Sequence, residues 1–137
     1  MNYIDYAKEW SDRVEAVIFA EGHPEGAPLS REAHKRAVLK ALPGYLLFSF
    51  CQVQRALHAT PWEPLEGLKA AQLYVIQKHH WDLAQVQSLS EEQLQFVLHE
   101  ELCQVELTES AYQMAQVDIV YLGMAGLKLK QQPAVPQ

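Results

Sequence analysis

Apolar side chains in this chain recur at the three- and four-residue spacing of a helix face and show no strand-like alternation. Tyr3, Ala7, Trp10, Val14, Val17 and Ile18 form one such stripe, which predicts an amphipathic helix over 3–20. EGHPEGAP at 21–28 breaks it, because two glycines and two prolines in eight residues cannot continue a helix. Ser30 is placed to cap a shorter helix over 31–42, and Pro43-Gly44 predicts its end. A third helix follows over 45–58. Leu46, Phe50, Val53 and Leu57 share one face of it, and Leu47, Phe48 and Cys51 broaden that face, which predicts a central position.

The later punctuation reads as a series of helix starts. In TPWE at 60–63, Thr60 is a cap, Pro61 suits the first helical position and Glu63 can reach back to the cap amide. This predicts a helix running to about Trp81. Asp82 in DLAQ opens a shorter cap-and-turn, and SEEQ from Ser90 is a capping box that opens a helix over 90–107. Thr108 either caps a last helix over 109–125 or continues the preceding one. KLKQQPAVPQ at 128–137 has no periodicity and is expected to be a flexible tail. The expected fold class is therefore all-α, a single-domain bundle of five to six amphipathic helices over 1–127.

Composition changes this picture little. The 137 residues are 49% apolar and 20% charged, the balance of an ordinary globular domain large enough for a core of its own. Most of the six glycines and seven prolines cluster at a few breaks, against an all-β fold.

Charge narrows the functional classes. The formal net charge is −6, yet residues 1–60 carry seven basic and seven acidic side chains and sum to zero. Residues 61–137 carry four basic and ten acidic side chains and supply the whole imbalance. No Lys or Arg occurs between Lys78 and Lys128, a gap that holds Asp82, Glu91, Glu92, Glu100, Glu101, Glu106, Glu109 and Asp118. An acidic surface of this kind repels phosphate backbones and favours basic partners. REAHKR at 31–36 with Lys40 is the only basic cluster, and its charges spread around the helix as on a solvated surface. Nucleic acid is not an expected partner.

Cys51 and Cys103 form no disulfide framework and read as reduced thiols in a cytoplasmic protein. The N-terminal MNYIDYAKEW lacks the pattern of a signal peptide. The longest apolar run, YLLFSFC, is too short to span a bilayer, so no membrane contact is expected.

The candidate chemistry centres on LHEELCQVE, residues 98–106. If 90–107 is one helix, its inner stripe is Leu94, Val97, Leu98, Leu102 and Val105, and Phe96, His99, Cys103 and Leu107 form a second stripe on the other side. A helix with two apolar stripes lies between layers or uses one of them on a partner. His99 and Cys103, four residues apart, can also reach one ion, and Cys51 with His58 offers a second pair. Together they are the right ligand types for tetrahedral zinc, although the spacing matches no zinc-finger pattern. The preferred reading is packed thiols and a surface imidazole.

Three polar residues fall on core-facing stripes: Glu101, Asp118 and His79. Charges there need partners, and a carboxylate pair with a histidine is also what acid–base or metal chemistry would use. Helical diiron sites use Glu-x-x-His pairs, and none occurs. Gly-x-Ser-x-Gly, His-Glu-x-x-His, Cys-x-x-Cys and Gly-rich phosphate loops are also missing. Gly123 and Gly126, in GMAGLK, either admit a close helix neighbour or end the last helix.

No cofactor and no catalytic residue is expected from these patterns. The sequence reads as a helical adaptor, regulatory or accessory module that acts by protein–protein interaction. It is expected to self-associate as a homodimer through Phe96, His99, Cys103 and Leu107, and to bind a basic partner through its acidic helices. The alternative is a metal-binding protein or enzyme built on His79, Glu101 and Asp118.

Overall fold

The computed structural model describes residues 4–23, 28–124 and 126–133. Tyr3, residues 24–27 of the break after the first helix and the last four residues of the tail lie outside that set. The fold is all-α: among the described residues there are seven helices and one sheet of two very short strands. The chain divides into two compact units, Met1–Tyr45 with Glu106–Gln137, and Leu46–Val105.

In the first unit, helix α1 (Tyr6–Ala20) starts at Asp5, whose carboxylate accepts from the Lys8 amide at 3.0 Å. It buries Tyr6, Trp10 and Val14, a four-residue spacing that lines one face. It ends in a Schellman turn, with Gly22 at φ +85°, its N–H donating to the Phe19 carbonyl and the His23 N–H to that of Ile18.

Helix α2 (Arg31–His58) corrects the reading of Pro43-Gly44 as a stop, since Pro43 lies inside a single 28-residue helix. A proline in a helix interior loses one backbone bond and costs about 3 kcal/mol. Two features make that tolerable. Ala37, Val38, Ala41, Leu42 and Tyr45 are buried around it, and burial of even one large aliphatic side chain contributes about 1.5–3 kcal/mol. The carbonyl that Pro43 leaves without its bond belongs to Leu39, an exposed residue, where water can satisfy it.

The first unit closes with strand β1 (Glu106–Leu107), helix α7 (Glu109–Tyr121) and strand β2 (Lys130–Gln131). Four further helices, within residues 69–104, lie between α2 and β1 along the chain. The Thr108 hydroxyl caps α7 by accepting from the Ala111 amide, which settles the two readings of that residue in favour of a new helix. Ala111, Ala115 and Ile119 are buried, and α7 packs against α1. Gly123 at φ +66° ends α7 in a second Schellman turn, so it serves as a stop. A Cβ there would also stand 3.2 Å from Arg31 Nη2. The strands β1 and β2 run parallel, Glu106 opposite Lys130 and Leu107 opposite Gln131. Part of the tail expected to be flexible therefore has a defined backbone partner.

The second unit takes Leu47, Phe50 and Cys51 from α2. TPWE then makes its capping bond without making a helix. The Thr60 hydroxyl accepts from the Glu63 amide at 3.1 Å, but Thr60 and Glu63 also pair through their backbones as an isolated bridge. Pro64 is the physical reason: a residue preceding proline is held out of the helical region. Helix α3 starts only at Lys69 and runs to His79. Helix α4 (Leu83–Gln87) is capped by Asp82 as expected. Helix α5 (Glu91–Val97) and helix α6 (His99–Gln104) replace the single helix expected over 90–107. Leu65, Ala71, Val75, Val86, Leu94, Leu98 and Leu102 complete this core.

Replacing Thr108 by Ala is expected to lower stability by about 1 kcal/mol in urea denaturation, the ordinary cost of a lost N-cap. Thr108→Ser, which keeps the hydroxyl, should recover most of it. Equal losses in both variants would show that the cap does not hold α7.

Candidate interaction face

The α5–α6 segment is built from its start signal. The Ser90 hydroxyl accepts from the Gln93 amide at 3.1 Å and the Gln93 side chain accepts from the Ser90 amide at 2.8 Å, a complete capping box. Leu94, Leu98 and Leu102 turn one side into the core. At Leu98 the backbone departs from helical geometry (φ −96°, ψ 15°), yet the Leu98 amide still donates to Leu94 O and the Leu102 amide to Leu98 O, both at 2.9 Å. The break therefore preserves the inner stripe.

On the other side, Phe96 is 85% exposed, and Glu92, His99, Glu100 and Cys103 are exposed with it. His99 Nε2 and Cys103 Sγ stand 3.7 Å apart. Three of the four residues expected on the second stripe are thus on the surface of the second unit. Leu107 is the correction. Helix α6 stops at Gln104, Val105 is extended, and Leu107 sits in β1 at 1% exposure, within the core of the first unit. The cause lies just downstream: as the cap of α7, Thr108 takes an extended conformation (φ −61°, ψ 162°) that a helix running through it could not supply.

The second Cys–His pair is built differently. Cys51 is buried in α2 and His58 is exposed near the end of that helix. Among the described residues no group of three or more His, Cys, Asp or Glu side chains is placed to hold a metal ion.

Each of the three core-facing polar residues has a structural partner. Asp118 accepts a hydrogen bond from Trp10 Nε1 at 2.7 Å, joining α7 to α1. Glu101, 10% exposed, forms an ion pair with Lys78 of α3. His79 is exposed, a correction to its inner-stripe placement, and stacks on Trp81 with ring centroids 5.2 Å apart. Helix α3 ends there, with His80 as a left-handed cap, so the imidazole leaves the stripe that periodicity assigned it. In the basic cluster, Lys35 and Lys40 pair with Glu32 and Glu21.

One surface escaped the sequence reading. Val117, Val120 and Tyr121 are all exposed on α7. Beside them lies a groove of about 510 Å³ lined by Tyr112, Gln116, Val120, Met124, Leu127 and Lys128. The spacing of Val117, Val120 and Tyr121 is a second apolar stripe on α7, and that signal was available in the sequence. No helix among the described residues is long and apolar enough to cross a membrane. No family model, no curated protein and no solved structure matches this chain.

The Glu101 ion pair has a pH signature. Burial is the largest single influence on the carboxyl and pushes its pKa up, but the Lys78 hydrogen bond, a backbone hydrogen bond and the charges of Lys78 and His79 outweigh it and hold it below the ordinary value. A carboxylate with a depressed folded-state pKa contributes stability above the ordinary carboxylate pKa, and that contribution is lost as pH falls through the folded value. Glu101→Gln is expected to unfold at a lower temperature than the parent at pH 7, with the gap closing as pH falls below the ordinary carboxylate range. A gap of constant size across that range would remove the ion pair as its cause.

Proposed function

We propose that this protein acts by binding other proteins, a second copy of itself among them, with the outer side of α5–α6 as the self-contact. One observation carries the reading: Phe96 is 85% exposed on the reverse of a helix pair whose inner side is core. Burying a phenylalanine contributes about 1.5–3 kcal/mol, and a two-fold contact repeats any such gain because each copy supplies the same patch. His99 and Cys103, exposed on the helix that follows, lack the long, mobile side chains that make burial costly. The thiols, neither of them in a disulfide, fit the reducing interior expected for a cytoplasmic protein. Glu101 and Asp118 are engaged by Lys78 and Trp10, which favours a structural role for both over acid–base chemistry.

A second contact is favoured by the apolar stripe on α7 and the groove beside it, which together suit the apolar face of a helix from a different protein. The run of acidic residues without a Lys or Arg between Lys78 and Lys128 favours a basic partner for the later part of the chain.

Sedimentation of the full chain at high concentration in chelator-free buffer tests the self-contact. The expected result is a dimer that Phe96→Glu returns to monomer with an unchanged circular dichroism spectrum. A parent protein that stays monomeric, or a dimer indifferent to Phe96→Glu, would overturn it.

A further inference from the structure

The proposed self-contact carries an electrostatic problem. Glu92 of α5 and Glu100 of α6 are exposed on the same helix pair as Phe96, no Lys or Arg occurs from 79 to 127, and Lys78, a cation acting on Glu100, is already paired with Glu101. Two copies meeting through this face bring like charges together, at a cost that rises as water is excluded. A metal ion bound by both copies would offset that cost with coordination bonds that cross the contact.

The residues for holding one are in place. His99 and Cys103 lie one turn apart on α6, both exposed, with Nε2 and Sγ 3.7 Å from each other. In a tetrahedral zinc site the Zn–S bond is about 2.3 Å and the Zn–N bond about 2.0–2.1 Å, which puts a sulfur and a nitrogen ligand about 3.6 Å apart along the tetrahedron's edge. The two donor atoms thus already stand at a ligand–ligand distance. Two ligands are too few for a closed site, and among the described residues no third His, Cys, Asp or Glu is placed to join them. A second copy presenting the same pair would supply the other two.

We propose that His99 and Cys103 are half of a thiophilic divalent-metal site, of the zinc class, completed as Cys₂His₂ by the same residues of a second copy. The inference rests on the reading of α5–α6 as a self-contact. On binding, two S–H protons pass to solvent, two thiolates and two neutral imidazoles take the four positions, and the site as a whole is uncharged. The acidic surroundings draw the cation in, and the Phe96 rings, one turn away, exclude water from its rim. Selectivity over magnesium and calcium follows from the sulfur and nitrogen donors, since those hard cations take oxygen ligands.

The test uses the full chain kept reduced by a phosphine and titrated with Zn²⁺, read by native mass spectrometry and sedimentation. The expected species is a dimer carrying one zinc and lacking two protons, reversed by EDTA. Co²⁺ in place of zinc should give the visible bands of a tetrahedral ion with a thiolate charge-transfer band. Cys103→Ser and His99→Ala should each lose the metal and the metal-dependent dimer while keeping the parent's helical spectrum. One zinc per chain on a monomer, zinc retained by Cys103→Ser, or no zinc bound would overturn the proposal. A dimer that persists in EDTA and depends on Phe96 would overturn the metal bridge and leave the self-contact standing. A monomer under every condition, indifferent to Phe96→Glu, would overturn both.

Discussion

The continuity of helix α2 through Pro43 is the constraint on which the rest of the structure depends. Each compact unit takes core residues from it: Ala37, Val38, Leu42 and Tyr45 serve the first, Leu47, Phe50 and Cys51 the second. Tyr45 shows what the continuity secures. Its ring meets Trp10 edge-on at 4.9 Å and Tyr6 at 6.4 Å, and its hydroxyl donates to the Ala111 carbonyl at 2.6 Å. One side chain two residues beyond the proline therefore engages α1 and α7 together. Burial pushes its phenol well above the ordinary value, with the charges of Tyr6 and Glu9 adding to the effect, so it remains a neutral donor throughout the physiological range. Had the helix ended at Pro43, that donor would point elsewhere.

The helix starts were legible in the sequence because capping is local chemistry. Ser90, Asp82 and Thr108 each make the bond that a residue of their type makes three positions before an amide. Failures arose where a neighbour or a distant contact overrode the local signal. Thr60 capped as read, but Pro64 held Glu63 out of the helical region, and the bond was spent on a turn. Pro43 was read as a stop because the burial that offsets it comes from residues far apart in sequence. Over 90–107 the period was read correctly and the length was not. A wheel drawn through to Leu107 placed that residue beside Cys103, when the next helix's cap had already ended the helical stretch.

The candidate site followed the same division. Phe96, His99 and Cys103 were visible as a second stripe because they fall within about two turns of one short segment. Asp118 was visible as a charge in the wrong place. Its partner Trp10 lies 108 positions away and appeared only as one more apolar residue in α1. Glu101 was likewise recognised as costly before Lys78 could be named. Periodicity can locate a polar group on a buried stripe, but only the tertiary contact identifies what satisfies it.

The pairing of β1 with β2, together with the division of the chain, bears on how the protein is made. The second unit is continuous in sequence, whereas the first is assembled from two segments on either side of it. Ribosomes deliver chains from the N-terminus at about 5–20 residues per second. Every residue of the second unit is therefore made before the strand that pairs with β1. Until α7 is made, Trp10 has Tyr45 to pack against but lacks Asp118, and the side of α1 that α7 covers stays open. The helix made first is thus the one completed last.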